Sequence, residues 1–366
     1  MISKVKVIAA ISGGIDSSFA LALLLQHGYD VIGCHLLMSD NHEEDAERAK
    51  DVCHFLNIPC YFVDAKEKFK NEVIKPFINS YSRGNTPNPC ILCNPSIKFK
   101  TLFEMLKKLG ADFVATGHYA RIIENNSNYH LARGKDSKKE QSYMLYRLKK
   151  EWLGKIIFPL GVWTKAEVKD KAKGIFGDMF SDVRESVDLC FLSERKTLRN
   201  FISAKIRAKK GPIISSQGDL LGCHEGAIFY TVGQREGLGL SNGPWYVLSI
   251  KEHDNTLIVG RKEDLYRRTV KCFNPHWLER PETGEVYTAQ HRYKTTPKPV
   301  VLSCLDNDQF IVEALETPFW GVAPGQSLVI YDGEIVMGGG IIGDSTNSSS
   351  KRNLKLKGGK NTCHLC

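Results

Sequence analysis

Short apolar runs alternate with amphipathic segments through the first half of the chain. Residues 4–11 and 31–37 are mostly apolar, which is typical of strands buried on both faces of a sheet. Residues 17–27 lie between them and residues 43–56 follow them, and the periodicity of both segments predicts helices. Strands and helices that alternate at this spacing predict an α/β fold with a doubly wound parallel sheet.

The same alternation continues to about residue 208. It predicts two further strands and four further helices. The strands are residues 60–63 and 113–116, and the helices are residues 65–81, 99–109, 164–173 and 196–208.

After about residue 210 the pattern changes to short β-branched and aromatic runs separated by Gly and Pro. These runs predict strands at residues 228–232, 246–250, 256–259, 300–304, 310–314, 328–331 and 334–338. Short strands with regular turn signals indicate a small linking module followed by a β-barrel.

Four parts are therefore expected along the chain. Residues 1–209 form the α/β domain, residues 210–270 a small central domain and residues 271–344 a C-terminal β-barrel. Residues 345–366 are a basic tail rich in Ser, Asn, Lys and Gly, which predicts disorder. A chain of 366 residues agrees with two or three domains, since one core seldom grows that large.

Composition adds an expectation about partners and location. The chain has 50 Lys and Arg against 41 Asp and Glu, and this net charge of +9 mildly favours a polyanionic partner such as nucleic acid. No apolar run approaches the roughly 18 residues that a membrane helix needs. Residues 2–11 are too short and too basic for a signal peptide, so a cytoplasmic protein without a membrane partner is expected.

Eleven cysteines are scattered along the chain. An odd number without an export signal argues against a disulfide framework. Five of them have apolar or strand-like neighbours, which predicts small buried side chains: Cys34, Cys53, Cys60, Cys272 and Cys304.

Residues 8–18, with the sequence IAAISGGIDSS, carry the most informative pattern. An apolar strand leads into two glycines, Gly13 and Gly14, and a helix begins at once. Glycine lets the backbone approach a bound anion, and the N–H groups of the helix then face that anion. No Lys follows the glycines and the GxGxxG spacing is absent, so neither a Walker loop nor a dinucleotide fold is indicated. A plain strand-to-helix turn is the alternative, and the additional serines of the loop disfavour it.

Residues 83–94 predict a loop stiffened by prolines that ends in a CxxC pair, Cys90 and Cys93. The spacing allows both sulfurs to face one centre or to form a disulfide. A structural zinc site would need a second ligand pair, and the other CxxC, Cys363 and Cys366, lies in the tail, which disfavours shared zinc. Cys190 is a third candidate.

Over about residues 1–343 the chain resembles the bacterial-type tRNA-specific 2-thiouridylases of the N-type ATP pyrophosphatase superfamily. The glycine loop is similar to the SGGxDSS pyrophosphate (PP) loop of that superfamily. The motifs that carry the resemblance, in chain order, are SGGIDSS at 12–18, TPNPCILCN at 86–94, IKF at 97–99, TGHY at 116–119, QSYML at 141–145, CF at 190–191, FYTVGQR at 229–235, GLGL at 237–240, RY at 292–293 and PGQS at 324–327.

The resemblance implies ATP-dependent 2-thiolation of the wobble uridine (U34) in tRNAs of the Lys, Glu and Gln type. ATP with Mg²⁺ would adenylate the uracil O2. Sulfur from a cysteine desulfurase or a sulfur-relay protein would then arrive as a persulfide, attack C2 and expel AMP. The target base must leave its stack, because its C2 edge is inaccessible in a stacked anticodon loop. The family fold has a PP-loop pyrophosphatase domain, a small central domain and a β-barrel.

The resemblance also assigns site residues. The expected ATP-binding positions are Ala10, Ile11, Ser12, Gly13, Gly14, Ile15, Asp16, Ser17, Leu36 and Gly117, with Asp16 near Mg²⁺. The expected tRNA-binding positions are Asn88, Pro89 and Cys90 around the flipped base, and His118, Lys139, Glu140, Gln141, Arg292, Tyr293 and Gln326 elsewhere.

By the same resemblance, Cys93 is the first catalytic cysteine and Cys190 receives the persulfide. The reacting sulfur must be an anion, so a low thiol pKa from nearby basic groups is expected. Cys90 stands where many members of the family have Asp, which leaves two interpretations open. Either Cys90 fills that position without a metal, or Cys90, Cys93 and Cys190 bind three irons of a [4Fe–4S] cluster whose fourth iron carries the incoming sulfide.

Two competing functions remain at this point. One is another PP-loop ligase that adenylates a small molecule, but no glutaminase segment is evident and the three cysteines would have no role. The other is an RNA-binding or iron–sulfur carrier protein that has lost ATP use, which the intact loop with Asp16 disfavours. Taken singly, His118 is typical of a loop-end histidine, whereas Arg292 beside Tyr293 suits phosphate binding with base stacking.

Overall fold

The computed structural model describes residues 4–40, 43–183, 189–192 and 197–343. The expected tail at 345–366, with Cys363 and Cys366, lies outside the described residues. None of the helices in the described ranges is long and apolar enough to cross a bilayer.

A parallel sheet organises the first half of the chain, as the alternation predicted. The strands in this half are β1 (Lys6–Ala10), β2 (Asp30–Leu37), β3 (Cys60–Asp64), β4 (Phe113–Ala115), β5 (Ala120–Asn125), β6 (Asn128–Arg133) and β7 (Ile156–Ile157). Five of them pair in the order β3-β2-β1-β4-β7, and each of these pairs is parallel.

Side chains of β1 alternate between two apolar cores, which explains the uniform apolarity of the strand. Val7 and Ala9 pack with Phe19 on one face of the sheet, and Ile8 packs with Leu36 on the other. Both faces are therefore covered, as expected for a doubly wound sheet.

The helices surround this sheet and continue towards the second half. They are α1 (Ile15–Gln26), α2 (Glu43–Phe55), α3 (Lys66–Phe69), α4 (Lys75–Ser82), α5 (Pro89–Cys93), α6 (Lys100–Leu109), α7 (Lys165–Phe176) and α8 (Leu198–Ser203). A π-helical stretch, Lys70–Ile74, joins α3 to α4, and a second one, Asn94–Phe99, joins α5 to α6. The helix predicted at 196–208 is shorter than expected, and residue 196 lies outside the described residues.

The CxxC pair lies in a helix, so its prediction as part of a loop is wrong. Asn88 is the N-cap of α5, and its side chain accepts a hydrogen bond of 3.1 Å from the Cys90 N–H. Pro89 occupies the first helical turn, where a missing N–H costs nothing and the fixed φ suits the helix. The prolines thus start a helix instead of stiffening a loop.

A small sheet forms the centre of the chain. Its strands are β8 (Gly211–Ser215), β9 (Leu220–His224), β10 (Tyr246–Lys251) and β11 (Thr256–Gly260), in the order β10-β11-β8-β9. The strand predicted at 228–232 is wrong. The segment begins as a 3₁₀ turn, Ala227–Phe229, because Ala227 and Tyr230 bury their side chains in the core of this sheet instead of pairing along its edge.

The last part is a closed β-barrel, as predicted. Its region contains β12 (Tyr266–Arg267), β13 (Thr269–Trp277), β14 (Val286–Gln290), β15 (Lys298–Leu305), β16 (Gln309–Ala314), β17 (Phe319–Trp320), β18 (Ser327–Asp332) and β19 (Ile335–Ile342). The order β13-β16-β15-β14-β18-β19 closes because β19 pairs back with β13. The domain boundaries near residues 210 and 270 stay predictions.

A hairpin of the α/β domain extends the barrel sheet, a feature that the sequence analysis missed. Strand β6 pairs with β19 through Ala132 and Ile335, and the Arg133 N–H donates to the Glu334 carbonyl at 2.9 Å. The Arg121 guanidinium also forms an ion pair of 2.6 Å with the Glu334 carboxylate. The first and last parts of the chain are therefore joined by backbone hydrogen bonds.

Buried tyrosines strengthen this junction. The Tyr143 hydroxyl donates to the Ser327 carbonyl at 2.7 Å, and the Tyr146 hydroxyl lies 3.0 Å from the Ser327 Oγ. Both rings are completely buried. Of the five cysteines expected in apolar surroundings, three are buried as free thiols, while Cys60 and Cys304 are partly exposed.

Candidate active site

The glycine loop joins β1 to α1 at the carboxyl edge of the parallel sheet. Gly13 has φ +80°, and a Cβ at this position would collide with the backbone carbonyl oxygen of Asp45 in α2. Only glycine fits such a position without strain. Gly14 is the N-cap of α1 and offers no side-chain hydrogen bond to the helix, so the first N–H groups of α1 face the loop.

Serine hydroxyls hold the loop in shape. The Ser17 Oγ accepts a hydrogen bond of 3.1 Å from the Ser12 N–H and donates one of 2.9 Å to the Gly14 carbonyl. The Ser18 hydroxyl donates to the same carbonyl at 2.9 Å. The loop is therefore preorganised before any anion binds.

The other expected ATP-binding residues lie around this loop. A Cβ on Gly117, just after β4, would lie 3.1 Å from the Ser17 backbone nitrogen, so glycine allows the two backbones to approach. Leu36 lies near the end of β2, beside β1. Ile11 is buried, and its carbonyl lies 2.8 Å from the His35 Nδ1. Ligands of open α/β sheets bind at this carboxyl edge.

Asp16 has two partners that the sequence analysis did not assign to it. The Lys165 ammonium donates to both carboxylate oxygens, at 2.6 and 2.7 Å, and the Tyr119 hydroxyl donates to one of them at 2.7 Å. Lys165 is only 8% exposed and is the first residue of α7. The sequence does contain a signal for the position of Lys165 at the start of a helix, because Thr164 and Glu167 form the capping box that fixes the start of α7.

The three candidate cysteines come together although Cys190 is remote in sequence. Cys93 and Phe191, the neighbour of Cys190, pack in the same apolar core, and the charges of Cys90 and Cys190 both act on the pKa of Cys93. Cys93 is 4% exposed, and its Sγ lies 4.0 Å from the Met38 Sδ in the segment after β2. Cys90 is half-buried and Cys190 is exposed.

The expectation of low thiol pKa values is wrong for this structure. Burial raises the pKa of Cys93 to about 12, and the opposing effect of the Lys98 ammonium is smaller. Burial likewise raises the pKa of Cys90, also against Lys98. The pKa of Cys190 is raised to about 11, although its surface is exposed, because protein atoms packed around the sulfur desolvate it. At neutral pH the three groups are therefore thiols.

Lys98 is a basic residue whose charge lowers the pKa of all three cysteines. Burial, the largest single influence, lowers the pKa of Lys98, but the negative charges that the three cysteines carry as thiolates together outweigh it and raise the pKa. Lys98 lies five residues after Cys93 in the π-helical stretch. A π turn closes i to i+5, so it brings these two residues towards one side, which an α-helix would not do.

His118 lies in an aromatic box beside Lys98. Its ring stacks on Phe99 with 6.0 Å between the ring centroids, and Phe158 packs edge-on against it at the same distance. The Thr116 Oγ1 lies 2.6 Å from the His118 Nδ1. Burial, together with the Lys98 charge, lowers the pKa of His118 to about 3, so the imidazole is neutral at physiological pH.

Two of the expected tRNA-binding residues at 139–141 have internal partners. The Gln141 Oε1 accepts a hydrogen bond of 3.0 Å from the Tyr119 N–H. The Glu140 carboxylate is buried, accepts from the Ser142 N–H and lies 3.3 Å from the Arg133 guanidinium. Both side chains therefore shape the segment, and Lys139 beside them is half-buried.

The barrel contributes Arg292 and Tyr293, which follow β14 and are both half-buried. The Tyr293 ring lies 6.1 Å from the Tyr143 ring. Burial raises the pKa of Tyr293 to about 12, and the charges of Glu140 and Cys90 add to that effect. Arg292 and Tyr293 thus lie on the same side of the molecule as Cys90.

Gln326 clamps the segment that precedes the CxxC helix. Its Nε2 donates to the Thr86 carbonyl at 2.6 Å, and the Thr86 N–H donates to the Pro324 carbonyl at 2.8 Å. From the central domain, the Thr231 hydroxyl lies 3.2 Å from the Thr86 hydroxyl. All three parts of the molecule therefore position Asn88, Pro89 and Cys90.

Family models match the chain along nearly its whole described length. The tRNA methyl transferase HUP domain matches residues 5–194, the tRNA methyl transferase PRC-barrel domain residues 199–261, and the aminomethyltransferase beta-barrel domain residues 267–342. The tRNA-specific 2-thiouridylase MnmA of Clostridium kluyveri is 38% identical over 92% of this chain and 99% of its own length. The tRNA-specific 2-thiouridylase MnmA 1 of Caldanaerobacter subterraneus is 39% identical over 92% of this chain and 97% of its own. This chain belongs to the tRNA-specific 2-thiouridylase family.

Among solved structures, similarity extends over about half of this chain. An NMN synthetase from Francisella tularensis matches with a TM-score of 0.30 at 17% identity, over 48% of this chain and 62% of that chain.

A [4Fe–4S] cluster in this 2-thiouridylase family member would need Cys90, Cys93 and Cys190 as its three ligands. Among residues 4–40, 43–183, 189–192 and 197–343, no three His, Cys, Asp or Glu side chains are arranged to hold a metal ion. Cys90, Cys93 and Cys190 as placed do not fit three iron ligands.

Proposed function

We propose that this chain uses ATP to replace O2 of the wobble uridine of tRNA with sulfur. Membership in the 2-thiouridylase family makes it a tRNA-uridine sulfurtransferase of the PP-loop, ATP-using type. The observation that carries this proposal is the common edge at which the glycine loop and Cys93 lie. The Cys93 Sγ lies 4.0 Å from the Sδ of Met38, which directly follows β2, and the strand β1 that leads into the glycine loop pairs in parallel with β2. The glycine loop and Cys93 thus lie at the same carboxyl edge of the sheet, so adenylation and sulfur transfer can occur on one bound base.

In the first step, the uracil O2 attacks the α-phosphorus of ATP and pyrophosphate leaves. The N–H groups at the start of α1 and the Ser12 and Ser17 hydroxyls are suited to hold the leaving pyrophosphate. The Asp16 carboxylate fits a hard cation, and Mg²⁺ bound there with ATP would neutralise phosphate charge.

In the second step, the terminal sulfur of a Cys190 persulfide attacks C2 of the adenylated uridine, and AMP leaves with the former O2. The Cys93 thiolate then attacks the Cys190 sulfur and breaks the S–S bond, which leaves the transferred sulfur on C2. A Cys93–Cys190 disulfide results, and an external thiol reduces it for the next turnover. Because both thiols have raised pKa values here, Lys98 is the group suited to stabilise their anions.

The tRNA is proposed to bind across the α/β domain (1–209), the central domain (210–270) and the barrel (271–344). Arg292 and Tyr293 suit a phosphate contact with stacking, and the segment of Asn88, Pro89 and Cys90 suits the flipped base. A cysteine desulfurase or a sulfur-relay protein would load Cys190, whose exposed surface is accessible to it. This reaction sequence belongs in the cytoplasm.

Two measurements on the purified protein test the proposal. Bulk tRNA lacking thiolation, ATP, Mg²⁺ and a persulfide donor should yield 2-thiouridine by nucleoside mass spectrometry, with one AMP released per thiolated base. Isolated tRNAs of the Lys, Glu and Gln type should react, whereas other tRNAs should not. AMP release that needs no tRNA would instead indicate a ligase for a small molecule, and no structural observation favours that alternative.

A further inference from the structure

We propose that Lys165 is a phosphate ligand of the ATP site, and that its ammonium leaves Asp16 for the pyrophosphate portion of ATP when the nucleotide binds. The inference rests on the proposed use of ATP at the glycine loop.

Lys165 lies beside the glycine loop. Its ammonium lies 2.6 and 2.7 Å from the two oxygens of Asp16, in the first turn of α1, so it reaches the end of the helix that faces the loop. The side chain is 10% exposed, and the backbone N–H of Lys165 is fixed by a 2.7 Å hydrogen bond to Asp136. The cation is thus held at the mouth of the anion site.

Charge favours the exchange of partners. Coulomb attraction scales with the product of the charges, so a polyphosphate competes well with a single carboxylate for one ammonium. The ammonium has three rotatable donors and no planar geometry to satisfy, so it can change acceptors at little cost. The positive end of α1 adds to the attraction for the phosphate.

The surroundings keep Asp16 in place after the exchange. The Tyr119 hydroxyl donates to Asp16 at 2.7 Å independently of Lys165. The carboxylate therefore keeps one hydrogen bond when the ammonium leaves, and its other oxygen becomes available to a cation that accompanies ATP. Without nucleotide, Lys165 and Asp16 neutralise each other, so neither charge is left unpaired in this partly buried site.

The competing explanation is that Lys165 only fastens α7 to α1. The two explanations differ in whether the effect of removing Asp16 requires Lys165. If Asp16 competes with phosphate for the ammonium, then Asp16→Asn should strengthen pyrophosphate binding only while Lys165 is present. If the pair is only a fastener, then the loss of the Asp16 charge should have the same Coulombic effect with or without Lys165.

The experiment is calorimetric titration of the full chain with inorganic pyrophosphate in EDTA, so that metal bridging does not contribute. We expect Lys165→Met to weaken binding about tenfold or more, and Asp16→Asn to strengthen it several-fold. Lys171→Met is the matched control, because Lys171 is an exposed residue of the same helix and its removal changes net charge equally. The control should bind like the wild type.

The double variant Asp16→Asn/Lys165→Met guards against a folding artefact, because it removes both charges and leaves no unpaired ion. It should bind as weakly as Lys165→Met. Binding at the level of Asp16→Asn, or a Lys165→Met variant that binds like the wild type, would overturn the inference. A wild-type protein that neither binds pyrophosphate nor thiolates tRNA would instead refute the proposed function.

Discussion

At the scale of single residues, the reactivity of the three cysteines depends on how their surroundings shift the thiol pKa values. Cys90, Cys93 and Cys190 are brought together, yet burial raises their pKa values, and the Lys98 charge, which is the largest opposing effect at each of them, does not offset it. The sequence resemblance identified the sulfurs but not their protonation, because desolvation depends on packing that no motif records. The same holds for His118, whose low pKa results from its aromatic box.

Replacement of the cysteines separates the two proposed steps. Cys93→Ser and Cys190→Ser should abolish 2-thiouridine formation but retain ATP–pyrophosphate exchange in the presence of tRNA, because adenylation depends on the glycine loop. Single-turnover reaction of the wild type without reductant should leave a Cys93–Cys190 disulfide, measured by peptide mass spectrometry. Loss of exchange in both variants would contradict this separation.

Cys90 distinguishes the two interpretations of the cluster. Because the described cysteines do not fit iron ligands, Cys90→Asp should remain active and free of iron after anaerobic purification. The measurements are an iron count, an absorbance spectrum and the thiolation assay. An iron-loaded wild type that loses both iron and activity in Cys90→Ser would establish the cluster instead, since oxygen replaces thiolate poorly on iron.

Lys98 should control the reactivity of the thiols with pH. With a Cys93 pKa of about 12, its alkylation by iodoacetamide should keep rising through pH 10, where an ordinary thiol already levels off. Lys98→Met should raise the pKa further and slow alkylation at pH 8 by roughly tenfold for each unit of pKa. Lys100→Met, an exposed neighbour, is the control and should behave like the wild type. Equal alkylation rates for the two variants would rule out this role.

At the scale of elements, the turn between β1 and α1 was predictable and the start of α5 was not. Glycines and serines after an apolar strand have one common interpretation, whereas two prolines around Asn88 suit both a rigid loop and an N-capped helix. The β5–β6 hairpin was missed because its pairing depends on a barrel strand two hundred residues away in sequence. Lys165 was missed because its partner Asp16 lies 149 residues away in sequence.

Gly13 should be intolerant of any side chain. Gly13→Ala combines φ +80° with a collision against the Asp45 carbonyl, so ATP–pyrophosphate exchange should fall at least a hundredfold while tRNA binding persists. Gly110→Ala is the matched control, because Gly110 also has positive φ but its Cβ would meet nothing within 4 Å. The control should lose about 1 kcal/mol of stability and no exchange activity. Similar exchange in both variants would refute the proposed fit of the loop.

At the scale of the whole molecule, ATP and tRNA are proposed to bind at different places. Arg292→Ala should weaken tRNA binding and flatten its dependence on salt, because one phosphate contact is removed. Asp16→Ala should abolish thiolation with tRNA affinity unchanged. Gel shifts across a salt series measure both, with Arg280→Ala, an exposed barrel arginine, as the control. A loss of tRNA binding in Asp16→Ala equal to its loss of activity would contradict the separation.

The strand pairing between β6 and β19 has a consequence for how the protein unfolds. The α/β domain and the barrel share this sheet and bury Tyr143 and Tyr146 against Ser327. Neither part can therefore unfold alone without exposing the junction to water. Calorimetry of the full chain should therefore show the α/β domain and the barrel in one endotherm, and Arg121→Ala/Tyr143→Phe should split or broaden it. Two well-resolved endotherms in the wild type would show that the junction does not couple them. Shortening the protein to its first 209 residues would remove the partner of the β6 edge, so a minimal catalytic fragment should aggregate.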